Sequence, residues 1–293
     1  MNSDRRHWRA RCAELTPIAN MNETKIAVAQ MGSVLGDVRA NLARVGHWIK
    51  LAAEDGISLT VFPECILSGY IFRDRKELSA SAVRADGPEL AEIEGWCKFY
   101  NTTVIVGYCE LAPDGLFNSA AVIGPQGTIG THRKRHLPFV GADRFMDEPP
   151  GNKPAIFNTA IGRVGVGICY EIRFPEVFRT LALAGAEIMA LPTNWPEQSE
   201  ILATHFTRVR AAENFVYVLA ANRYDTERDV RFLGASQIVD PTGHVRAHAE
   251  RKEGLFSAAF DPQLARNKRI VFREGEFEVS PWRDRRPQTY CLD

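Results

Sequence analysis

Val164-Gly165-Val166-Gly167-Ile168-Cys169-Tyr170-Glu171-Ile172-Arg173-Phe174-Pro175-Glu176 carries an apolar, glycine-punctuated run into a sharp turn rich in charge. Short, nearly continuous apolar runs read as strands buried on both faces, and such a strand presents the next side chain at the rim of its sheet. The pattern predicts a strand over Gly162–Ile168, Cys169 at its mouth, and a helix over Phe174–Ala184 that Gly185 ends. Cys169 then has two readings. A thiolate is a nucleophile in an electropositive, partly open setting, and free cysteine is equally at home as a small core residue.

The alternation continues in both directions. Towards the N-terminus, strands are predicted at Lys25–Met31, Ile57–Phe62, Thr103–Glu110 and Ala155–Asn158, with helices at Val38–Asp55 and Glu89–Tyr100. In the first of these helices Leu42, Val45, Ile49 and Leu51 recur on or near one face. Ser119–Ile123 and Thr128–Arg133 form a hairpin around Gly124-Pro125-Gln126-Gly127. Towards the C-terminus come strands at Glu187–Leu191, Val216–Ala221, Ala235–Val239 and Leu255–Phe260, a longer helix at Glu197–Asn214, and a turn at Asp240-Pro241-Thr242-Gly243. Interleaved helices and strands predict an α/β domain over residues 23–293, with helices covering sheet faces. The hairpins make the sheet mixed, not purely parallel. No internal repeat, low-complexity tract or linker is visible.

Composition narrows the function. The chain has 36 basic and 36 acidic residues, so no global field draws it to nucleic acid or an anionic membrane. No apolar run approaches the roughly 20 residues that span a bilayer. Cys12, Cys65, Cys97, Cys109, Cys169 and Cys291 are scattered without metal-ligand spacing, so no zinc site is signalled, and reduced thiols in a cytoplasmic protein are expected. Residues 1–22 carry Arg5, Arg6, Arg9 and Arg11 without an apolar h-region, while Asp4 and Glu14 count against a transit peptide. They are read as a disordered extension, with Met21 an alternative start.

Two further charged residues follow predicted strands. Glu64 comes after Leu59-Thr60-Val61-Phe62-Pro63. A carboxylate desolvated there gains a pKa suited to a general base, whereas a solvated one is only a strand end. Lys134 lies in Thr131-His132-Arg133-Lys134-Arg135-His136-Leu137-Pro138. Such a basic run is either a solvated face or, beside a thiol, a source of positive charge that favours thiolate and oxyanion. Glu64, Lys134 and Cys169 can thus share one rim of the sheet as base, cation and nucleophile.

Phe62-Pro63-Glu64, His132–Leu137 and Gly167–Glu176 resemble, in order and at comparable intervals, the three catalytic segments of the nitrilase, or carbon–nitrogen hydrolase, superfamily. The resemblance runs over about residues 23–290. It takes in FNSAAVIGPQG around Asn118, GASQIVDPTG at 234–243 and the tail Arg286-Pro287-Gln288-Thr289-Tyr290. It implies an αββα four-layer sandwich, dimerised through its helices as a homodimer or higher homo-oligomer. Glu64 becomes the general base, Lys134 the cation facing a tetrahedral intermediate, and Cys169 the nucleophile. The Tyr170 backbone N–H joins Lys134 in the oxyanion hole. Thiolate attack on an amide carbonyl gives a thioester and ammonia or an amine, and water activated by Glu64 releases acid. That chemistry requires no metal or organic cofactor.

One departure stands out. Many members have a second glutamate after the lysine segment, and here Phe139-Val140-Gly141-Ala142-Asp143-Arg144-Phe145 offers Asp143, one methylene shorter. Asp143 is the candidate fourth catalytic carboxylate, and its reach towards Lys134 is the open question. Candidate substrate contacts are Glu171 and Arg173, which flank the nucleophile, and Asn194 and Trp195 in Pro192-Thr193-Asn194-Trp195-Pro196-Glu197. Arg173 suits a substrate carboxylate or a structural partner; Trp195 suits a pocket wall or the core. The expected activity is hydrolysis of a small linear amide or N-carbamoyl amine. A true nitrilase, an acyl-transferring synthase and a non-catalytic binding protein on the same fold are the alternatives. Cys-Trp-Glu, usual in nitrilases proper, is here Cys169-Tyr170-Glu171.

Overall fold

Buried strands and one-faced helices have a single efficient arrangement, with strands inside and helices covering them. The computed structural model, which describes residues 24–151 and 154–290, has this form. The N-terminal extension read from the sequence lies outside the described residues. In chain order the elements are β1 (Lys25–Gln30), α1 (Val38–Glu54), β2 (Ile57–Val61), α2 (Arg75–Ala80), α3 (Pro88–Tyr100), β3 (Thr103–Ala112), β4 (Gly115–Gly124) and β5 (Gly127–Arg133). Then follow β6 (Ile156–Thr159), β7 (Gly162–Val166), α4 (Pro175–Leu183), β8 (Ile188–Pro192), α5 (Thr207–Asn214) and β9 (Tyr217–Ala221). The remainder comprises β10 (Thr226–Glu227), β11 (Val230–Arg231), β12 (Gln237–Val239), β13 (Val245–His248), β14 (Gly254–Ala259), α6 (Pro262–Arg266), β15 (Ile270–Arg273) and β16 (Phe277–Val279).

Two six-stranded sheets, ordered β14-β1-β2-β3-β4-β5 and β13-β12-β9-β8-β7-β6, lie face to face. Ile26, Val28, Leu59, Val61 and Ile105 of the first meet Val164, Val166, Ile188, Ala190, Leu219 and Ile238 of the second in one apolar layer. Each fully buried aliphatic side chain in such a layer contributes about 1.5–3 kcal/mol. On the outer face of the first sheet, α1 and α3 bury Leu42, Val45, Ile49, Leu90 and Ile93. On the outer face of the second, α4 and α5 bury Phe178, Leu181 and Ala211. The fold is an αββα sandwich with mixed sheets, as the family resemblance implied.

The sheets repeat one another. In the first, β1, β2 and β3 run parallel, continue into the antiparallel β4 and β5, and are flanked by antiparallel β14. In the second, β7, β8 and β9 run parallel, continue into the antiparallel β12 and β13, and are flanked by antiparallel β6. No such repeat is visible in the residues, because the equivalence lies in connectivity.

The predicted helix Glu197–Asn214 is not one regular element. A 3₁₀ turn at Glu197–Ser199 and a π turn at Leu202–Phe206 precede α5. The widened turn turns the Ala203 carbonyl to Thr207 Oγ1 and Gln237 Nε2 instead of the regular ladder. Sequence periodicity also misses α2, β13 and the β15–β16 hairpin. All are short, and the side chains of β13 and β15 are largely exposed, so no apolar pattern marks them.

Candidate active site

Three strand ends converge at one rim. The turn after β2 begins at Pro63-Glu64, and Cys65 enters the left-handed region at φ 48°. β3 passes directly beneath it, because a Cβ on Gly107 would lie 2.5 Å from the Pro63 carbonyl and 2.7 Å from the Glu64 Cα. Only glycine permits that approach. Lys134 follows β5, with its N–H bound to the Asn118 carbonyl of β4 at 2.7 Å. Cys169 follows β7 after two residues and opens a 3₁₀ turn, Cys169–Arg173, at φ 46°. A left-handed non-glycine residue costs on the order of 1–3 kcal/mol, and such strain clusters at functional sites.

The structure brings Glu64, Lys134 and Asp143 into one hydrogen-bonded set, all buried. Lys134 Nζ donates to Glu64 Oε1 at 2.7 Å and to Asp143 Oδ2 at 2.6 Å. Asp143, on the 3₁₀ turn Gly141–Phe145, therefore reaches the lysine despite its shorter side chain. Asn118 Nδ2 bridges Glu64 Oε1 and Asp143 Oδ1, each at 2.7 Å. Tyr70 OH donates to Asp143 Oδ2 at 2.8 Å. Glu64 Oε2 has no partner among the described residues.

The charges shift one another. Burial raises the Glu64 carboxyl above its ordinary value, Lys134 pulls it back and Asp143 pushes it up again. Burial lowers the Lys134 pKa, but Asp143 and Glu64 outweigh it and hold the ammonium charged. Burial, then the Glu64 charge, raise the Cys169 thiol; Lys134, the Thr193 side chain and the Asn194 backbone oppose the rise. The raised thiol pKa favours the protonated thiol over the thiolate at rest.

Glu171 sits behind this set. Its Oε2 accepts from the Ile168 N–H at 2.8 Å and meets His132 Nε2 at 2.8 Å; its Oε1 accepts from the Arg135 N–H at 3.0 Å and lies 3.4 Å from His136 Nδ1. Both oxygens are thus occupied by the segments that carry Lys134 and Cys169. His136 also stacks on Phe174 with centroids 4.0 Å apart, and Tyr170 meets the same ring edge-on. Burial would raise the Glu171 carboxyl, but His132, His136 and the Arg135 N–H hold it well below the carboxylate range.

Asn194 is buried after β8, its Nδ2 bound to the Glu64 carbonyl at 2.9 Å and its Oδ1 without a partner among the described residues. Trp195 is 1% exposed within the main apolar cluster, and its Nε1 has no partner among the described residues. Arg173 is exposed. Asn118 and Tyr70 were not singled out as site residues from the sequence. For Asn118 the signal is present: Asn118-Ser119 interrupts an apolar strand where neither polar side chain has a packing reason to be.

Known proteins identify the family of the chain. A protein named nitrilase from Pyrococcus abyssi is 35% identical over 248 residues, covering 84% of this chain and 93% of the relative. An omega-amidase NIT2 from Danio rerio is 34% identical over 260 residues, covering 83% and 90%. Among solved structures, Saccharomyces cerevisiae Nit3, described as a member of branch 10 of the nitrilase superfamily, superposes with a TM-score of 0.74 at 28% identity over 85% of this chain and 94% of its own. Residues 25–270 match the carbon-nitrogen hydrolase family, and the chain belongs to that family, as a carbon–nitrogen bond hydrolase of the amidase-like nitrilase branch.

Proposed function

We propose that the protein hydrolyses a small linear amide or N-carbamoyl amine through a thioester on Cys169. The buried Glu64–Lys134–Asp143 set beside a thiol on a strained turn carries this reading. Glu64 Oε2, left without a partner, takes the thiol proton as sulfur attacks the carbonyl carbon. The carbonyl oxygen becomes an oxyanion, met by the Lys134 ammonium and the Tyr170 backbone N–H. Collapse breaks the C–N bond, and the Glu64 proton leaves with ammonia or the amine. Water then gives a proton to Glu64 and attacks the thioester; the acid departs and the thiol is restored.

Asn194 Oδ1, buried and without a partner among the described residues, supports a role as acceptor for the substrate's N–H. Trp195 supports the pocket from its core side, and Arg173 at the exposed edge suits a substrate carboxylate. Glu171, with both oxygens engaged, is assigned to positioning and not to substrate contact. Four buried free thiols, Cys65, Cys97, Cys109 and Cys169, fit a reducing cytoplasm. Among the described residues no helix is long and apolar enough to cross a membrane. The same reading takes residues 23–293 as one catalytic unit that works as a homodimer.

An ammonia-release screen with aliphatic amides, ω-amides, N-carbamoyl amino acids and nitriles tests the proposal, with Cys169→Ala run in parallel. Turnover of an amide or carbamoyl compound is expected, and Cys169→Ala should lose it by more than about a thousandfold with an unchanged circular-dichroism spectrum. Undiminished turnover by that variant would sink the mechanism.

A further inference from the structure

One polar side chain enters the buried set from a segment to which no role has been given. Tyr70 lies past the Glu64 turn and is 2% exposed. Its hydroxyl donates to Asp143 Oδ2, the same oxygen that receives Lys134 Nζ. Burial, then the Asp143 and Glu64 charges, push the phenol well above its ordinary pKa, so it stays a donor. The tyrosine ring also governs how close Asp143 can come. Gly141, which opens the Asp143 turn, has φ +54°, and a Cβ there would lie 2.2 Å from the Tyr70 ring. The turn lies directly against the ring.

Tyr70 is in turn fixed from the other half of the molecule. Glu227 Oε2 accepts the backbone N–H groups of Tyr70 at 2.8 Å and Ile71 at 2.5 Å. Its Oε1 receives Arg223 Nη1 at 2.7 Å. Arg223 is fully buried, pairs with Asp225 at 2.6 Å and lies over the Phe232 ring. A buried arginine with both carboxylates in place is a stiff anchor, since loss of either leaves charge uncompensated. Contacts thus run unbroken from Arg223 through Glu227, Tyr70 and Asp143 to Lys134.

We propose that Tyr70 is a positioning residue that fixes the Asp143–Lys134 pair against the nucleophile, with Glu227 and Arg223 fixing Tyr70. The inference rests on the thiol-hydrolase reading of the site. The rival is a tyrosine that only fills the apolar cluster with Cys65, Phe72 and Ala142. Tyr70→Phe separates the two, because it keeps the ring and removes the hydroxyl.

The measurement is iodoacetamide alkylation of Cys169 in the full chain, followed by mass spectrometry from neutral to alkaline pH. Lys134 is the charge that lowers the thiol pKa against Glu64 and burial, so a loosened lysine slows alkylation at neutral pH. Tyr70→Phe is expected to alkylate about tenfold more slowly there, with its pH profile displaced upward. Asp143→Glu should be slow as well, because the added methylene crowds the Tyr70 hydroxyl, and adding Tyr70→Phe to it should recover most of the rate. A wild-type profile in Tyr70→Phe, or a double variant no faster than Asp143→Glu, overturns the positioning role and leaves the thiol chemistry standing. A folded wild-type chain whose Cys169 is unmodified at every pH overturns both.

Discussion

In the proposed reaction Glu64 must be basic enough to take a thiol proton and still ionised at working pH. Burial supplies the first and Lys134 limits the excess. The sign of the pH effect follows. A raised carboxyl pKa means that the base is lost to protonation at a higher pH than the 4.5 of an ordinary glutamate. The acid limb of kcat/KM in ammonia release is therefore expected above that value, as an apparent constant of the coupled cluster. A limb at or below 4.5 would remove Glu64 as the base. At this scale much of the site was legible. Glu64, Lys134 and Cys169 each break an apolar run with a reactive side chain. Asp143 was found only as a departure from a family pattern, and whether it reaches Lys134 depends on the φ of Gly141. Tyr70 looks like any core aromatic until the turn that lies against it is known.

Elements place these residues, and Glu171 is the clearest case. The carboxylate ties the end of β5 to the turn after β7 through the Arg135 and Ile168 N–H groups. Its depressed pKa means that the ionised form stabilises the fold. That contribution is fully present above the ordinary value of 4.5 and is lost as pH falls through the lower folded value. Glu171→Gln keeps one acceptor oxygen but loses the charge, and is expected to cost on the order of 2 kcal/mol at neutral pH. Denaturant melts of both proteins should show that gap closing as the solution is acidified below the carboxylate range; a gap that widens in acid would refute the bracket. The sequence placed Glu171 beside the nucleophile but could not show which way it faced. A contact across 36 residues leaves no local signal. The strand-to-turn transitions were legible because apolar runs stop abruptly. The π turn before α5 was not, since the periodicity on either side is helical.

The whole molecule also leaves large apolar side chains exposed. Leu183, Ile201, Val209 and Leu264 are exposed on or beside the outer helices, and Ile270, Val271, Phe272 and Phe277 on the C-terminal hairpin. A second copy of the chain would cover such a surface. Sedimentation equilibrium is expected to give twice the mass of the chain, and Val209→Asp to shift the population towards single chains; a monomer at all concentrations would refute the dimer. The layered architecture was legible from the alternation of buried strands and one-faced helices. The internal repeat was not, because it survives in topology and not in residues. Its consequence lies in how the halves are joined. β14 comes from the end of the second half, yet it is zipped residue for residue to β1 of the first, from Lys25–Ala259 to Gln30–Gly254. That ladder lies within the first sheet, so the chain returns from β13 of the second sheet to close the edge of the first. The first sheet is thus completed only by a strand from the second half, so the two halves are expected to unfold as one cooperative unit, with coincident transitions in a denaturant melt followed by two probes.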